Sequence, residues 1–303
     1  MYDIIGDIHG HGAKLVLLLE KMGYRCESGI WSHPTRKLIS LGDLVDRGPE
    51  QKNVVDILKA MQEANHAQVI MGNHEFNAVS WAYQGASGNP LREHSDKNYH
   101  QHKEFLVQAD INSQWYSDTI EWFKTLPLFI ETEHFCCIHA AWDKHHIGQL
   151  KNALLSDNTL KTSHWEEANT VGHLLYGAVE YCLKGPEIAL PPGDSFKDGN
   201  GAVRKKMRLK WWDVSASSTY QTASISVPDP MALPNKAIPS NEITQIPHHK
   251  SVFFGHYWMT GKPFIMASNI ACLDWSVVKE NGFLVAYRFD GESQLDDSKL
   301  VWV

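Results

Sequence analysis

The chain has no apolar run approaching the roughly 20 residues that a membrane-spanning helix requires. Its five cysteines, Cys26, Cys136, Cys137, Cys182 and Cys272, are odd in number and contain no C-x-x-C pair. That usage argues against a disulfide framework and against a thiolate zinc site. Positive charge is in deficit: 28 Lys and Arg stand against 35 Asp and Glu, a formal charge of −7. The overall field therefore does not draw in polyanions, and neither a membrane nor polymeric nucleic acid is expected as a partner. Internal repeats and low-complexity linkers are also missing. Met1 leads into YDIIGD without the basic and apolar regions of a secretion signal, so the expected location is the cytoplasm, with reduced thiols.

What is present is a globular composition, 43% hydrophobic over 303 residues, sufficient for a large core. In the first half, short apolar runs alternate with helical patterns. YDII ends at Gly6, AKLVLLLEKM reads as a helix, KLISL ends at Gly42, KNVVDILKAMQ reads as the next helix, and AQVIM ends at Gly72. This βαβαβ pattern predicts a mostly parallel sheet whose polar groups gather past the carboxyl ends of the strands. FCCIH (135–139) and SVFFGH (251–256) repeat the pattern, each delivering a histidine. Near the end, PFIMAS, NIACLDW, GFLVAYRF and KLVWV suit a second sheet packed on the first. Residues 85–125 are polar and helical in character, and 145–250 mix the helix GHLLYGAVEYCL with loops such as KGPEIALPPGDSFKDGNG. Both stretches are expected to be insertions that cap the site edge of one domain spanning residues 1–303.

The strand ends supply one set of side chains: Asp7 and His9, Asp43 with Asp46 and Arg47, Asn73 and His74, then His139 and His256. Carboxylates, an amide oxygen and imidazoles suit Mn, Fe, Zn or a similar divalent ion, and are too rich in nitrogen for a calcium cage. More donors are present than one ion needs, which points to two ions sharing a bridging carboxylate. His100, His102, His145, His146, His248 and His249 are expected on the solvated surface, and Trp211 and Trp212 in core or cap packing.

The ordered motifs GDIHG, GDLVDRG and GNHE, followed by single strand-end histidines, resemble the calcineurin-like metallophosphoesterases. The likeness is to the phosphoprotein phosphatase branch, which also contains bacterial diadenosine tetraphosphatases. Gly255-His256-Tyr257-Trp258 lacks the second histidine of the GHxH motif found in many nucleases and phosphodiesterases, and this favours that branch. The motifs cover residues 1–80; beyond them the resemblance rests on two histidines and strand order. It implies an α/β fold with a central two-sheet β-sandwich flanked by helices, and a dinuclear site at the strand carboxyl edge. Asp7 and His9 would then bind the first metal, Asp43 would bridge, and Asn73, His139 and His256 would complete the second. His74 would be the general acid oriented by Asp46, with Arg47, and Asn73 near it, holding phosphoryl oxygens. The implied reaction is hydrolysis of a phosphate monoester, from a phosphoprotein or small ester, by a metal-bridging hydroxide. The alternative is symmetrical cleavage of a dinucleoside tetraphosphate. The expected cofactors are two divalent ions, Mn first, with Fe, Zn or Co as alternatives, and the expected partner is a phosphopeptide, small phosphate ester or nucleotide. In GNGAVRKKMRLKWWD, Arg204 and Arg208 are candidates for a second phosphate-holding arginine, or members of a solvated basic face.

Overall fold

The structure, a computed structural model, describes residues 1–199, 201–243 and 249–303; His248 lies outside them. β1 (Tyr2–Ile5) runs into α1 (Gly12–Met22); a hairpin of β2 (Arg25–Glu27) and β3 (Ile30–Ser32) follows, then β4 (Lys37–Ser40), α2 (Gln51–Glu63) and β5 (Ala67–Val69). In α1, Leu15, Leu18, Leu19 and Met22 fall on one buried stripe at helical spacing. Gly23, at φ 92°, ends it: its N–H reaches the Glu20 carbonyl at 3.0 Å while the Tyr24 N–H reaches that of Leu19 at 3.0 Å. β1 pairs parallel with β4 and β4 with β5, as the βαβαβ pattern predicts.

Next come α3 (Asn73–Ala82), α4 (Asp96–Ala109) and α5 (Gln114–Phe123), then β6 (Phe129–Glu131) and β7 (Phe135–Ile138). The stretch from 144 to 225 holds α6 (Lys144–Leu150), α7 (Trp165–Asn169) and α8 (Leu174–Lys184), then the short strands β8 (Glu187–Ala189), β9 (Phe196–Lys197), β10 (Val203–Arg204), β11 (Lys206–Leu209) and β12 (Ser224–Ile225). β13 (Ser251–Phe254), β14 (Ile270–Cys272), β15 (Asp274–Trp275), β16 (Phe283–Phe289) and β17 (Leu300–Trp302) complete the order.

Two sheets form, with strand orders β15-β16-β1-β4-β5 (β17 beside β16) and β14-β13-β7-β6. The late strands are therefore divided, which corrects the expectation of a separate C-terminal sheet: β16 pairs antiparallel with β1, and only β14 joins the second sheet. PFIMAS carries only an isolated bridge at Ala267. The reason lies in β16 itself, which is apolar on both faces and fits a covered interior position rather than an edge.

The two periods of strand geometry separate two cores. Ile4, Ile39, Phe135, Cys137, Phe253, Val285 and Tyr287 fill the layer between the sheets. Their neighbours Ile5, Leu38, Cys136, Ile138, Val252, Phe254, Leu284 and Ala286 face outward beneath the helices. The chain is thus an α/β sandwich with helices on its outer faces. Each fully buried Ile or Phe contributes about 1.5–3 kcal/mol relative to exposure, so the strand ends are fixed points for the loops they carry. β8, β11 and β12 form a small sheet over a separate cluster of Ile188, Met207, Leu209, Tyr220 and Leu233. Trp211 ties that cap to the main core: it is fully buried and donates Nε1–H to the Ala140 carbonyl at 3.0 Å. Among the described residues, no helix is long and apolar enough to cross a membrane.

Candidate active site

The loops after β1, β4, β5, β7 and β13 meet at one edge of the sandwich. Gly42, at φ 89°, lies so close to the next loop that an added Cβ would stand 2.3 Å from the Gly72 nitrogen. Past it, Asp43, Asp46 and Arg47 also take positive φ (51°, 69° and 74°), an unfavourable backbone for residues with a Cβ. Side chains hold it in place. Glu75, fully buried, accepts the main-chain N–H of Asp43 at 2.8 Å, Leu44 at 2.8 Å and Gly72 at 3.0 Å. Gln51 accepts from the Asp46 N–H at 2.7 Å and donates to the Gly48 carbonyl at 2.6 Å.

Two buried clusters result, and both contain Asp43: His9, Asp43 and His74, and Asp43, His139 and His256, with donor atoms in each group within 4.8 Å of one another. His9 offers Nδ1 to the Val45 carbonyl at 3.1 Å, and His139 offers Nδ1 to the Leu41 carbonyl at 2.7 Å. Those bonds assign the Nδ1–H tautomer and leave Nε2 lone pairs directed inward. His139 Nε2 then sits 3.2 Å from Asn73 Oδ1 and 3.3 Å from Asp43 Oδ1. Three lone-pair atoms so placed attract one another only around a proton or a cation. His9 Nε2 and both ring nitrogens of His256 are buried without a hydrogen-bond partner. Orphaned imidazole nitrogens beside a shared carboxylate fit a pair of divalent metals.

Asp7 stands slightly apart, accepting the His256 main-chain N–H at 3.1 Å and touching Gly255, where an added Cβ would lie 2.0 Å from Asp7 Oδ1. Burial, then Asp274 and Asp43, push the Asp7 carboxyl well above its ordinary range. Burial opposes ionisation of Asp43 as well, but His139, His74 and His9 overcome it and hold that carboxyl well below its usual range. For His9, burial and then His74 lower the imidazole to about 3, so it is a neutral ligand.

His74 Nδ1 lies 2.5 Å from Asp46 Oδ2. Burial works against a charged imidazole there, yet Asp43 and Asp46 raise its pKa overall. The other oxygen, Asp46 Oδ1, accepts from His102 Nδ1 at 2.7 Å. The expectation for His102 is thereby corrected: it is 2% exposed and stacks on Phe105 with ring centroids 5.0 Å apart. Its position on α4 beside Phe105 and Leu106 was a readable sign of an inward face. His100, His145 and His249 are exposed and His146 is half-buried.

Asp43, Asn73, His74, Arg47, Arg208 and His256 line one cavity of about 580 Å³. Arg47 stacks its guanidinium on Trp258 at 4.6 Å. Arg208 is half-buried, with its Nε unpartnered, and its charge adds to burial in lowering the His256 pKa. Arg204 is placed elsewhere. It is exposed and ion-paired to Asp198 at 2.6 Å, in a different depression. β11 explains the split: Met207 and Leu209 face the cap cluster, so alternation puts Arg208 on the opposite face, where it reaches the cavity as well as that depression, whereas Arg204 belongs to the exposed β10. Glu75, His102 and Arg92, which also lines this cavity, had no assigned role from sequence because none is a strand-end metal donor.

A sandwich edge that presents two histidine–carboxylate clusters around one shared aspartate is the site of a dinuclear-type phosphoesterase. The calcineurin-like phosphoesterase family model matches residues 2–204, and the chain belongs to that family. Curated relatives include the asymmetrical bis(5'-nucleosyl)-tetraphosphatase PrpE of Anoxybacillus flavithermus, 45% identical over 75 residues, which are 24% of this chain and 31% of that protein. The same-named protein of Oceanobacillus iheyensis is 28% identical over 150 residues, 48% of this chain and 58% of its own. The first of these matches thus spans under a third of its relative's length. Among solved structures, a cold-active protein-tyrosine phosphatase of a psychrophilic Shewanella species superposes with TM-score 0.50 and 17% identity, covering 97% of this chain and 80% of its own, a likeness of fold.

Proposed function

We propose that the protein is a metal-dependent hydrolase of phosphoric ester or anhydride bonds. The observation that carries this reading is the pair of buried clusters sharing Asp43, one of which includes His74, itself hydrogen-bonded to Asp46. Asp7, His9 and Asp43 would hold one divalent ion, and Asp43, Asn73, His139 and His256 the other, with Mn the first choice and Fe, Zn or Co accepted by the same donors. Bound there, the ions supply activated water and neutralise phosphoryl charge. Arg47 and Arg208 orient the phosphoryl group by hydrogen bonds to its non-bridging oxygens, since phosphoryl transfer depends mainly on positioning and electrostatics. His74, with Nδ1 committed to Asp46, presents Nε2–H to the leaving oxygen and protonates it.

The first substrates to test are phosphate monoesters on a peptide or small molecule. A second reading is cleavage of a dinucleoside tetraphosphate, favoured by the names of the curated relatives. Those names say asymmetrical, which would yield ATP and AMP rather than the two ADP of the symmetrical cut expected from sequence. The test is chromatography of products after incubating manganese-loaded protein with a phosphopeptide panel, p-nitrophenyl phosphate and diadenosine tetraphosphate. Metal-dependent product from at least one class is expected. Silence with all three, in protein shown to hold two metals, overturns the reading.

A further inference from the structure

The cavity has a second flank that the chemistry above leaves unused. Arg92, carried on the loop between α3 and α4, lines it together with Lys97, Asn98, Gln101 and Lys184. The loop is fixed: the Arg92 N–H donates to the Ser80 carbonyl at 2.8 Å. The guanidinium is fixed as well, because its Nη2 donates to Gln101 Oε1 at 2.8 Å and to Asn98 Oδ1 at 3.2 Å. Both partners are neutral. Arg92 is half-buried, and among the described residues no carboxylate lies within ion-pair distance of it. Four carboxylates share the cavity: Asp43 belongs to both histidine clusters, Asp46 is committed to His74 and His102, Glu180 is paired with Lys184, and Glu93 is exposed. A half-buried guanidinium oriented by amides and making no direct ion pair is an arrangement that gains from an incoming anion.

The position of this charge says which part of a substrate it meets. Arg208 acts on His256, and Arg47 on both His9 and His74, so those two arginines flank the ligand clusters. Arg92 instead is bonded to Gln101 on α4, next to His102, which is bonded to Asp46 behind the acid His74, and the charges of Asp46 and Glu180 both act on it. The leaving group departs toward His74, so Arg92 faces what departs rather than what is attacked.

We propose that Arg92, with Lys97 lining the same cavity, forms an anion subsite for the leaving group, so that the preferred substrate carries phosphate on both sides of the scissile bond. This rests on the hydrolase reading above and deepens it: the favoured class is a phosphoanhydride, such as a polyphosphate or dinucleoside polyphosphate, over an ester of serine, tyrosine or a phenol. In that reaction water adds to one phosphorus, the bridging P–O bond breaks, and the departing phosphate oxygen keeps the bonding electron pair. The charge that accumulates there is then met by Arg92 as well as by the His74 proton.

The test compares kcat/KM of the manganese-loaded protein for tripolyphosphate, diadenosine tetraphosphate and p-nitrophenyl phosphate, in the wild type and in Arg92→Gln and Arg92→Lys. The expected result is a wild type that prefers the anhydrides. Arg92→Gln should shrink the ratio of anhydride to phenyl-ester kcat/KM at least tenfold, and Arg92→Lys, which keeps the charge, should restore part of it. Equal losses on all substrates, or an unchanged ratio, overturns the subsite. A wild type that cleaves only p-nitrophenyl phosphate or phosphopeptides overturns it too, while leaving the hydrolase reading intact. A wild type that holds two metals and cleaves nothing defeats the hydrolase reading instead.

Discussion

Replacing Glu75 by Gln would test whether a single buried carboxylate holds the metal loops in place. Its two oxygens take three main-chain N–H groups at 3.0 Å or less, from Asp43, Leu44 and Gly72. A glutamine offers one oxygen where two are used, and turns an NH2 toward the remaining donor. With the oxygen on the Asp43 and Gly72 side, the Leu44 N–H and the new amide donor face each other unsatisfied. Each stranded buried donor costs about 1–3 kcal/mol. Against that stands a gain: burial and the charge of Asp43 already raise the Glu75 carboxyl to about 7, so removing it relieves like-charge repulsion. The net loss expected is about 2–4 kcal/mol, which for a chain of this size corresponds to a Tm drop on the order of 3–6 °C. Differential scanning calorimetry of the metal-free protein reads it directly. Metal content and kcat should fall as well, because Asp43 sits on the released backbone. A Glu75→Gln variant that melts within about 1 °C of the wild type, with two bound metals and full turnover, would refute the reasoning.

Four further outcomes follow from the same geometry. Asp46 raises the His74 pKa, so Asp46→Asn should move the alkaline limb of kcat to lower pH and reduce turnover of poor leaving groups by about 10–100-fold, within the range general acids contribute; an unmoved limb in the pH profile counts against this pair. His102→Ala frees one oxygen of Asp46 and should slow poor leaving groups more than good ones without loss of bound metal, with Asn at 102 restoring part of the rate; equal slowing across a leaving-group series would argue for a purely structural role. Asp43→Asn removes the carboxylate common to both clusters and should leave fewer than two metals per chain by elemental analysis; full occupancy would sink the bridging assignment. Gly255→Ala would drive a methyl to 2.0 Å from Asp7 Oδ1, so metal affinity should fall about 10-fold or more; calorimetric titration with wild-type affinity would contradict the packing.

The sequence was most informative where local chemistry and local structure coincide. YDII, KLISL and AQVIM each form strands that stop where glycine and polar residues begin, and their loops bring Asp7, His9, Asp43, Asn73 and His74 to one edge. Pairing across long separations was less legible. GFLVAYRF is plainly a strand, but nothing local indicates that it adds to β1 rather than joining its neighbours in the chain, because its partner is chosen by burial on both faces. His102 was legible only in part: its spacing from Phe105 and Leu106 marks the inward face of α4, but nothing in YHQHKEF indicates that this face meets Asp46. Arg204 and Arg208 stood as equals in the basic run, and only the docking of β11, with Met207 and Leu209 turned to the cap cluster and Arg208 to the other face, separates them.

The pairing of Tyr2–Ile5 with Ala286–Phe289 has a consequence for how the protein is made. During synthesis GDIHG, GDLVDRG and GNHE emerge early, yet β1 remains an open edge until nearly the whole chain has left the ribosome. His256 also arrives late, so a product truncated before it would lack that ligand and carry an uncapped, aggregation-prone sheet. The sheet is thus closed only after the whole ligand set has been made, and a chain interrupted between residues 256 and 283 would carry every ligand on an unfinished sheet and should be cleared as waste rather than persist as a partly active enzyme.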